Sequence, residues 1–269
     1  ALSVRFLFSC LVDADYLDTE EFMQGGAVVR GGYDALAELA PKLDEYIEAK
    51  GWNRPKSKLN EMRWHVAQEC KQAGEGECNL LQVTVPTGGG KTIATLVLAF
   101  ARIQRVERLI REGLCSRQPI QRVIIVIPYI SIIEQTAKLL RKIFGIKNVV
   151  EHHSNMDSTT EPDDGFSATH KLSTENWDAP IIVTTNVQFF ESLMSNKPSH
   201  CRKLHNIANS IIIFDEAQML PLNYLVPCTR IIEALVREWG VTGVLCTATQ
   251  PSLEKFFSGA VNIQEACAD

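Results

Sequence analysis

The sequence lacks the features that mark a membrane-spanning, secreted or zinc-binding chain. No apolar run approaches the ~20 residues needed to cross a bilayer. The apolar N-terminal stretch ALSVRFLFSCLV leads straight into acidic residues without a small-residue cleavage site, so we interpret it as a core helix. The eight cysteines form no CxxC pair, which argues against a zinc knuckle. Several lie inside apolar runs, as reduced core thiols of a cytoplasmic protein do, and we expect no membrane partner.

An excess of basic charge is also missing. The 27 basic and 32 acidic residues give a net charge of -5, which excludes a uniformly basic protein. Any contact with nucleic acid must therefore come from a local patch. No internal repeat is evident. The 269 residues, 45% of them hydrophobic, are enough for one large domain with a sizeable core.

The hydrophobic pattern changes along the chain. Residues 1–50 predict helices, and 51–58 (GWNRPKSK) predict a linker. From residue 59 onward, helical segments alternate with short apolar runs: LLQVTVPT, RVIIVIPY, IIVTTN, SIIIFDE and GVLCTAT. This alternation predicts an α/β fold with a parallel sheet covered by helices on both faces. Residues 154–178 are polar and acidic, which favours a surface loop or a partly ordered insertion.

The stretch VPTGGGKT is similar to a phosphate-binding loop, although Val85 occupies the position of the usual first glycine. It follows a predicted strand and opens a predicted helix, so glycine backbone N–H groups and a helix N-terminus would face phosphate. Lys91 would reach the β- and γ-phosphates, and the Thr92 hydroxyl would bind Mg²⁺. The alternative is an ordinary glycine turn before a helix. The predicted nucleotide-contacting residues are Pro86, Thr87, Gly88, Gly89, Gly90, Lys91 and Thr92.

Two further motifs close apolar runs downstream. IIIFDEAQ ends in carboxylates, of which Asp215 would hold Mg²⁺ with the nucleotide and Glu216 would activate the attacking water. The alternative is a strand end with solvated acids. In the TAT sequence, Thr247 and Thr249 would hydrogen-bond the carboxylate motif and relay the nucleotide state. Lys91, Asp215 and Glu216 are the predicted catalytic residues.

In this order, the three motifs resemble those of the first RecA-like domain of superfamily-two helicases, P-loop NTPases in which the opening glycine is often replaced. VTTNVQFFESL, CRKLHNIANSIIIFDEAQMLP and SCLVDADYLDTE narrow the resemblance to the CRISPR-associated helicase–nuclease of type I interference, the Cas-three family. That resemblance implies an HD nuclease domain that uses a divalent transition metal. Asp15 matches the last metal ligand of that domain, and Asp13 is a second choice.

The same resemblance implies a domain organisation. Residues 1–50 would be the C-terminal helices of the HD domain, 51–58 a linker and 59–269 the first RecA-like domain. We expect the other HD ligands before Ala1 and a second RecA-like domain, with its arginine finger, after Asp269. This piece should then bind nucleotide weakly, hydrolyse it slowly and cleave no DNA. The complete protein would use ATP and Mg²⁺ to move along single-stranded DNA and degrade it, recruited by an RNA-guided CRISPR surveillance complex.

Five polar or aromatic residues near predicted strand ends are candidates for contact with single-stranded DNA: Tyr129, Ser131, Thr185, Asn186 and Gln188. The alternative is that they satisfy local backbone groups. Upstream of the phosphate loop, Asn60 and Arg63 share one helix face, but no glutamine stands clearly where helicases read adenine, so adenine specificity is left open. His152 and His153 are assigned no metal role.

Two other functions stay open from the sequence. One is a superfamily-two helicase of another DNA or RNA pathway. The other is a non-catalytic docking module that keeps the motor fold, for which Lys91→Ala would leave biological activity unchanged.

Overall fold

The computed structural model describes residues 2–26, 31–153, 174–248 and 253–268. Within these ranges seven strands form a single sheet in which every pairing is parallel. The strands are β1 (Leu80–Thr84), β2 (Arg122–Ile127), β3 (Val149–His152), β4 (Ile181–Thr185), β5 (Ser210–Phe214), β6 (Thr242–Thr247) and β7 (Gln264–Ala268). Their order across the sheet is β3-β4-β2-β5-β6-β1-β7. The predicted parallel sheet is therefore confirmed, and the five predicted apolar runs form its five central strands.

Helices cover both faces of the sheet, which explains why the strands are apolar on both sides. The helices are α1 (Leu2–Gln24), α2 (Leu36–Ala49), α3 (Lys58–Gly74), α4 (Lys91–Arg111), α5 (Ile130–Phe144), α6 (Asn186–Met194), α7 (Pro198–Cys201) and α8 (Leu225–Glu238). In β2, Ile125 packs into a core with α2 to α5, whereas Ile124 and Val126 pack into a second core with α6 and α8. Burial of one aliphatic side chain contributes ~1.5–3 kcal/mol to stability. A strand that alternated apolar and polar residues would have only one apolar face, so one of the two cores would lose this contribution.

The N-terminal helices pack against the sheet domain. Leu39 and Leu43 of α2 are buried in the same core as α4 and α5. Just before α2, Asp34 pairs with Lys42 at 2.7 Å and with Lys147. The hydrophobic core of the sheet thus extends to residues before the predicted linker, while the division into domains at residues 51–58 stays a prediction.

Parallel pairing brings the polar residues that follow several strands to one edge. Thr84 of β1 lies beside Thr247 of β6, and the backbone N–H of Asp215 after β5 donates to the carbonyl of Val126 in β2 at 2.9 Å. Ligands of open α/β sheets bind at this carboxyl edge. The segments that follow β1, β5 and β6 therefore surround one location.

Candidate nucleotide site

The segment between β1 and α4 is a glycine loop whose conformation depends on glycine. Gly88 has φ 82° and Gly90 has φ 87°, both in the left-handed region. Gly90 is the residue that precedes the first turn of α4, so Lys91 begins the helix. Glycine enters this region without the steric cost of a Cβ atom, and the turn leaves backbone N–H groups at the helix N-terminus for an anion.

Val85, at the position of the usual first glycine, has a structural role. Its side chain is buried at 1% exposure, and its backbone N–H donates to the carbonyl of Thr247 at 3.0 Å. A Cβ atom on Gly89 would lie 2.4 Å from Cγ1 of Val85 and 3.0 Å from the carbonyl oxygen of Pro86. The loop therefore folds back onto Val85, and this close approach requires glycine at position 89 rather than at position 85.

Lys91 and Glu216 join the glycine loop to the DEAQ motif. Lys91 Nζ lies 2.5 Å from Glu216 Oε1, although the two residues are 125 positions apart. The other carboxylate oxygen of Glu216 accepts a hydrogen bond from the Gln218 side-chain amide at 2.5 Å. Glu216 itself has φ 48° and ψ 53°, a left-handed conformation that is uncommon for a residue with a side chain. The sharp turn after β5 directs its carboxylate at Lys91.

The two carboxylates of the motif are in different electrostatic states. Burial raises the pKa of Asp215, and the nearby charge of Lys91 only partly opposes this effect. For Glu216, burial also acts to raise the pKa, but the hydrogen bonds from Lys91 and Gln218 outweigh it, so the net pKa is lowered. Glu216 is therefore held as a carboxylate, whereas Asp215 gains from a cation that would offset its burial.

The residues of the site fit a nucleotide with Mg²⁺. The loop leaves no room for a Cβ atom at Gly89, and its glycines expose backbone where phosphate oxygens would bind. Thr92 lies in the first turn of α4, after Lys91. The Thr92 hydroxyl and the Asp215 carboxylate are hard oxygen ligands of the kind that Mg²⁺ prefers.

The predicted coupling residues can be described only in part. Thr247 is buried, and its carbonyl holds Val85, so it does connect the third motif to the phosphate loop through the backbone. Thr249 lies outside the described residues. A role of the two hydroxyl groups in relaying the nucleotide state stays a prediction.

The five candidates for contact with DNA divide into two groups. Tyr129, 48% exposed, and Ser131 begin α5 and face solvent. Thr185 is buried and its hydroxyl accepts from the N–H of Gln188 at 3.0 Å, so this pair caps α6. Asn186 is also buried, and its Oδ1 atom has no hydrogen-bond partner among the described residues. Tyr129 and Ser131 therefore retain exposed groups for a ligand, whereas Asn186 is enclosed and the Thr185 hydroxyl is used locally.

Arg63 connects the helix upstream of the loop to the loop itself. Its Nε atom donates to the carbonyl of Gly88 at 2.9 Å, and its Nη1 atom donates to Asn60 Oδ1 at 3.3 Å. The sequence placed Asn60 and Arg63 on one helix face but gave no sign of the contact with Gly88. An apolar recess of about 110 Å³ opens beside this contact. Its lining residues are Ile47, Trp52, Arg63, Trp64, Ala67, Gly90, Ile93 and Ala94.

The two candidate HD-site residues face opposite ways. Asp15 is exposed on α1, whereas Asp13 is buried and its carboxylate accepts from Arg202 Nε at 2.9 Å. Asp13 is therefore already neutralised by an arginine. Within the described ranges no group of three His, Cys, Asp or Glu side chains is arranged to hold a metal ion. The described residues do not by themselves fit the metal centre of a nuclease.

The two adjacent histidines have structural partners. Nδ1 of His152 accepts a hydrogen bond from Trp177 Nε1 at 2.8 Å. Burial lowers the pKa of His152 well below its usual value, and Lys203 lowers it further, so the ring is neutral. His153 lies 3.1 Å from Glu151, which also pairs with Arg141.

Across the part of the chain that the structure describes, no helix is both long and apolar enough to cross a membrane.

Comparison with known proteins agrees with this geometry. The DEAD/DEAH box helicase family matches residues 65–256. The chain is 32% identical over 186 residues to the CRISPR-associated nuclease/helicase Cas3 of Haloferax volcanii, covering 64% of this chain and 19% of that protein. The chain thus spans about a fifth of the length of this relative.

Solved structures share the fold. The crystal structure of T. fusca Cas3-AMPPNP matches with a TM-score of 0.57 and 20% identity, over 77% of this chain and 24% of that one. S. cerevisiae dbp5, in a structure with nup159, gle1, ip6 and adp, matches with a TM-score of 0.54 and 17% identity, over 84% of this chain and 52% of that one. The predicted RecA-like fold and the predicted resemblance to the Cas-three family are both confirmed. By its matched residues and its motifs, the chain belongs to the DEAD/DEAH box helicase family.

Proposed function

We propose that this chain is the ATP-binding half of a motor that moves along single-stranded DNA and works with an HD nuclease in CRISPR type I interference. The observation that carries the motor function is the contact between Lys91 of the glycine loop and Glu216 of the DEAQ motif. It brings a phosphate-binding cation and a carboxylate base to one point at the carboxyl edge of the sheet. A structural core would have no need to place both groups beside three consecutive glycines.

The residues divide the work of binding and hydrolysis. Backbone N–H groups of Gly88 and Gly90 and the α4 N-terminus bind phosphate oxygens, and Lys91 neutralises the β- and γ-phosphates. Thr92 and Asp215 would hold Mg²⁺, which when bound offsets the charge that develops on the phosphates. Glu216, a carboxylate with a lowered pKa, orients the attacking water and accepts its proton.

The Lys91 ammonium group cannot bind a phosphate and the Glu216 carboxylate equally well at the same time. When nucleotide draws Lys91 away, the hydrogen bond from Gln218 keeps one oxygen of Glu216 in place and leaves the other for water. The Lys91–Glu216 pair is thus the resting arrangement of the site, which nucleotide binding opens. Competition between an internal carboxylate and phosphate also favours modest affinity.

The nuclease and CRISPR parts of the proposal rest on similarity to the H. volcanii Cas3 and on α1. By helical spacing, Asp15 shares one side of α1 with Phe8, Leu11 and Phe22, all of which are exposed. A carboxylate within an apolar helix side suits a site completed by other helices that supply the remaining metal ligands. An RNA-guided surveillance complex is the proposed recruiting partner.

A helicase of another DNA or RNA pathway is the alternative function, and a non-catalytic docking module is the third. Binding measurements separate the proposed DNA motor from a docking module and from a helicase of an RNA pathway. Calorimetric titration with Mg-ATP should give saturable binding to the wild-type chain, and single-stranded DNA should bind more tightly than an RNA of the same sequence in fluorescence anisotropy. Tyr129→Ala should weaken DNA binding about fivefold or more, because base stacking contributes ~1–3 kcal/mol per base. Absence of ATP binding would support the docking module, and preference for RNA would support another pathway.

A further inference from the structure

We propose that Glu265 of the edge strand β7 is a positioning residue for the phosphate loop, because its carboxylate fixes the end of β1 from which the loop departs. This inference rests on the proposed nucleotide-binding function and adds a residue that the three motifs do not contain. Glu265 Oε1 accepts a hydrogen bond from the backbone N–H of Thr84 at 3.2 Å. Its Oε2 atom accepts from the side-chain amide of Gln82 at 2.9 Å. One carboxylate thus holds two positions of the strand that leads into the glycine loop.

An irregularity in the pairing of β1 with β7 explains why a side chain acts at this point. The two strands are parallel, but their register shifts after Gln82, because the next pair along β1 skips Ala266 of β7. A bulge of this kind locally disrupts the ladder of backbone hydrogen bonds. Just beyond the shift, the carboxylate of Glu265 supplies an acceptor for the N–H of Thr84.

Gln82 orients this carboxylate. It is a polar residue within the strand sequence LLQVT, and it is only 4% exposed. Its amide group donates to Glu265 and, at 3.3 Å, to Thr84 Oγ1. A buried amide that loses its hydrogen-bond partners is unfavourable, so the Glu265 side chain is kept against β1. Glu265 itself is exposed, and its contribution is therefore an acceptor at the strand end rather than packing in a core.

The end of β1 is held from both sides, and the glycine loop starts there. Successive N–H groups of a strand point to opposite neighbours. The N–H of Thr84 donates to Glu265 on the β7 side, at 3.2 Å. The N–H of Val85 donates to the carbonyl of Thr247 on the β6 side, at 3.0 Å. Val85 also supports the loop, since a Cβ atom on Gly89 would lie 2.4 Å from its Cγ1 atom. A displaced Thr84 would therefore move the surface on which the phosphate loop rests.

Calorimetric titration of the full chain with Mg-ATP and with Mg-tripolyphosphate, which has no base, tests this assignment. Glu265→Ala should weaken both ligands by the same factor, about threefold to tenfold, because it acts on the loop that binds phosphate. Gln264→Ala, which removes the neighbouring exposed side chain of β7, is the matched control and should leave both affinities unchanged.

The conservative variant Glu265→Gln should bind both ligands within about twofold of the wild-type chain. It keeps an acceptor oxygen for the N–H of Thr84. The amide of Gln82 can turn to accept from the new side-chain amide, since its Oε1 atom has no hydrogen-bond partner among the described residues. Rescue by glutamine would separate the loss of an acceptor from a loss of charge.

Hydrogen–deuterium exchange without ligand reports the same contact independently of nucleotide. In Glu265→Ala, the peptide that covers residues 80–90 should exchange at least about threefold faster than in the wild-type chain, because the end of β1 opens more often. In Gln264→Ala it should exchange at the wild-type rate. Circular dichroism checks that the variants are folded, as the exposure of both side chains predicts.

Several results would contradict the positioning role while leaving the phosphate site intact. These are unchanged exchange or unchanged affinities in Glu265→Ala, a loss confined to ATP, and a Glu265→Gln variant that binds as weakly as Glu265→Ala. Loss of folding in Glu265→Ala would assign the residue a structural role instead. If the folded wild-type chain binds neither Mg-ATP nor Mg-tripolyphosphate, the proposed function fails, and with it the role of Glu265 in binding, whatever the exchange rates.

Discussion

Asp13 of α1 and Arg202, which follows α7, form a buried ion pair in which Arg202 Nε donates to Asp13 Oδ1 at 2.9 Å. One turn earlier on α1, the Ser9 hydroxyl donates to the Arg202 carbonyl at 3.1 Å, and a turn before that Arg5 donates to the Ser195 carbonyl. Because Arg5, Ser9 and Asp13 follow one another at intervals of four positions, their side chains lie on the same side of α1 and form one polar stripe. α1 therefore turns its polar side toward the helicase fold.

This pair gives a stability prediction with a built-in control. Arg202→Met should lower the free energy of unfolding by about 3–5 kcal/mol, because it leaves the Asp13 carboxylate buried without its cation. Asp15→Asn, two positions further along α1 and exposed, should change it by less than about 0.5 kcal/mol. Denaturant unfolding monitored by circular dichroism measures both. Similar losses for the two variants would contradict the assignment of Asp13 to the helicase side of α1.

Lys91 and Glu216 predict opposite effects on nucleotide affinity. Lys91→Ala should weaken Mg-ATP binding at least about tenfold, because a charge-assisted contact with phosphate is lost. Glu216→Gln should strengthen binding by up to about fivefold, because Lys91 no longer has to leave an ion pair. Lys138→Ala, an exposed lysine on α5, is the control for a general loss of positive charge. Weaker binding by Glu216→Gln would show that the pair does not compete with phosphate.

Substitution of Gly89 by alanine tests the close packing of the phosphate loop, and the same substitution at Gly26 is its control. Gly89→Ala should destabilise the chain by about 1–3 kcal/mol and reduce ATP affinity, because the new Cβ would lie 2.4 Å from Val85 Cγ1. Gly26→Ala has no neighbouring atom within 4 Å and should affect neither property. Thermal unfolding with and without Mg-ATP gives both quantities in one experiment. An unchanged ligand-induced shift in Gly89→Ala would mean that the loop tolerates a wider turn.

His152 predicts a loss of stability toward acid. Burial keeps its pKa below the ordinary value near 6.5, so the unfolded chain takes up the proton more readily than the folded chain. This contribution of His152 to the free energy of unfolding is fully present above about pH 6.5 and declines as the pH falls toward the lowered pKa, by on the order of 1 kcal/mol per pH unit. Denaturant unfolding across this range measures the slope.

Two other groups also contribute to the dependence of stability on pH. His205, whose pKa is lowered mainly by burial although Asp13 opposes this, adds to the same slope. Asp215, whose pKa is raised by burial, acts in the opposite direction at lower pH, because the folded chain then binds the proton more readily. His152→Gln should reduce the slope whatever its effect on absolute stability. A slope that is unchanged in this variant would assign the acid sensitivity to other groups.

The sequence by itself determined the parallel sheet and the order of the motifs along the chain. Continuous apolar runs such as RVIIVI can be stable only with cover on both faces, and a glycine loop between a strand and a helix has few other uses. The edge strands β3 and β7 were not predicted, because their sequences, VVEH and QEACA, include polar and acidic residues and form no continuous apolar run. Local pattern was therefore sufficient for the central strands and for the position of the glycine loop, whose binding of phosphate stays a prediction.

Only the tertiary structure decided which of several plausible residues meet. It paired Val85 with Thr247, turned Asp13 rather than Asp15 toward Arg202, and placed Arg63 against Gly88. It also showed that the Thr185 hydroxyl caps a helix, while Asn186 keeps a buried oxygen without a partner among the described residues. These contacts join residues that are distant along the chain or that differ only in which side of a helix they occupy. Their energies depend on burial and on atomic distance, which local residue patterns do not encode.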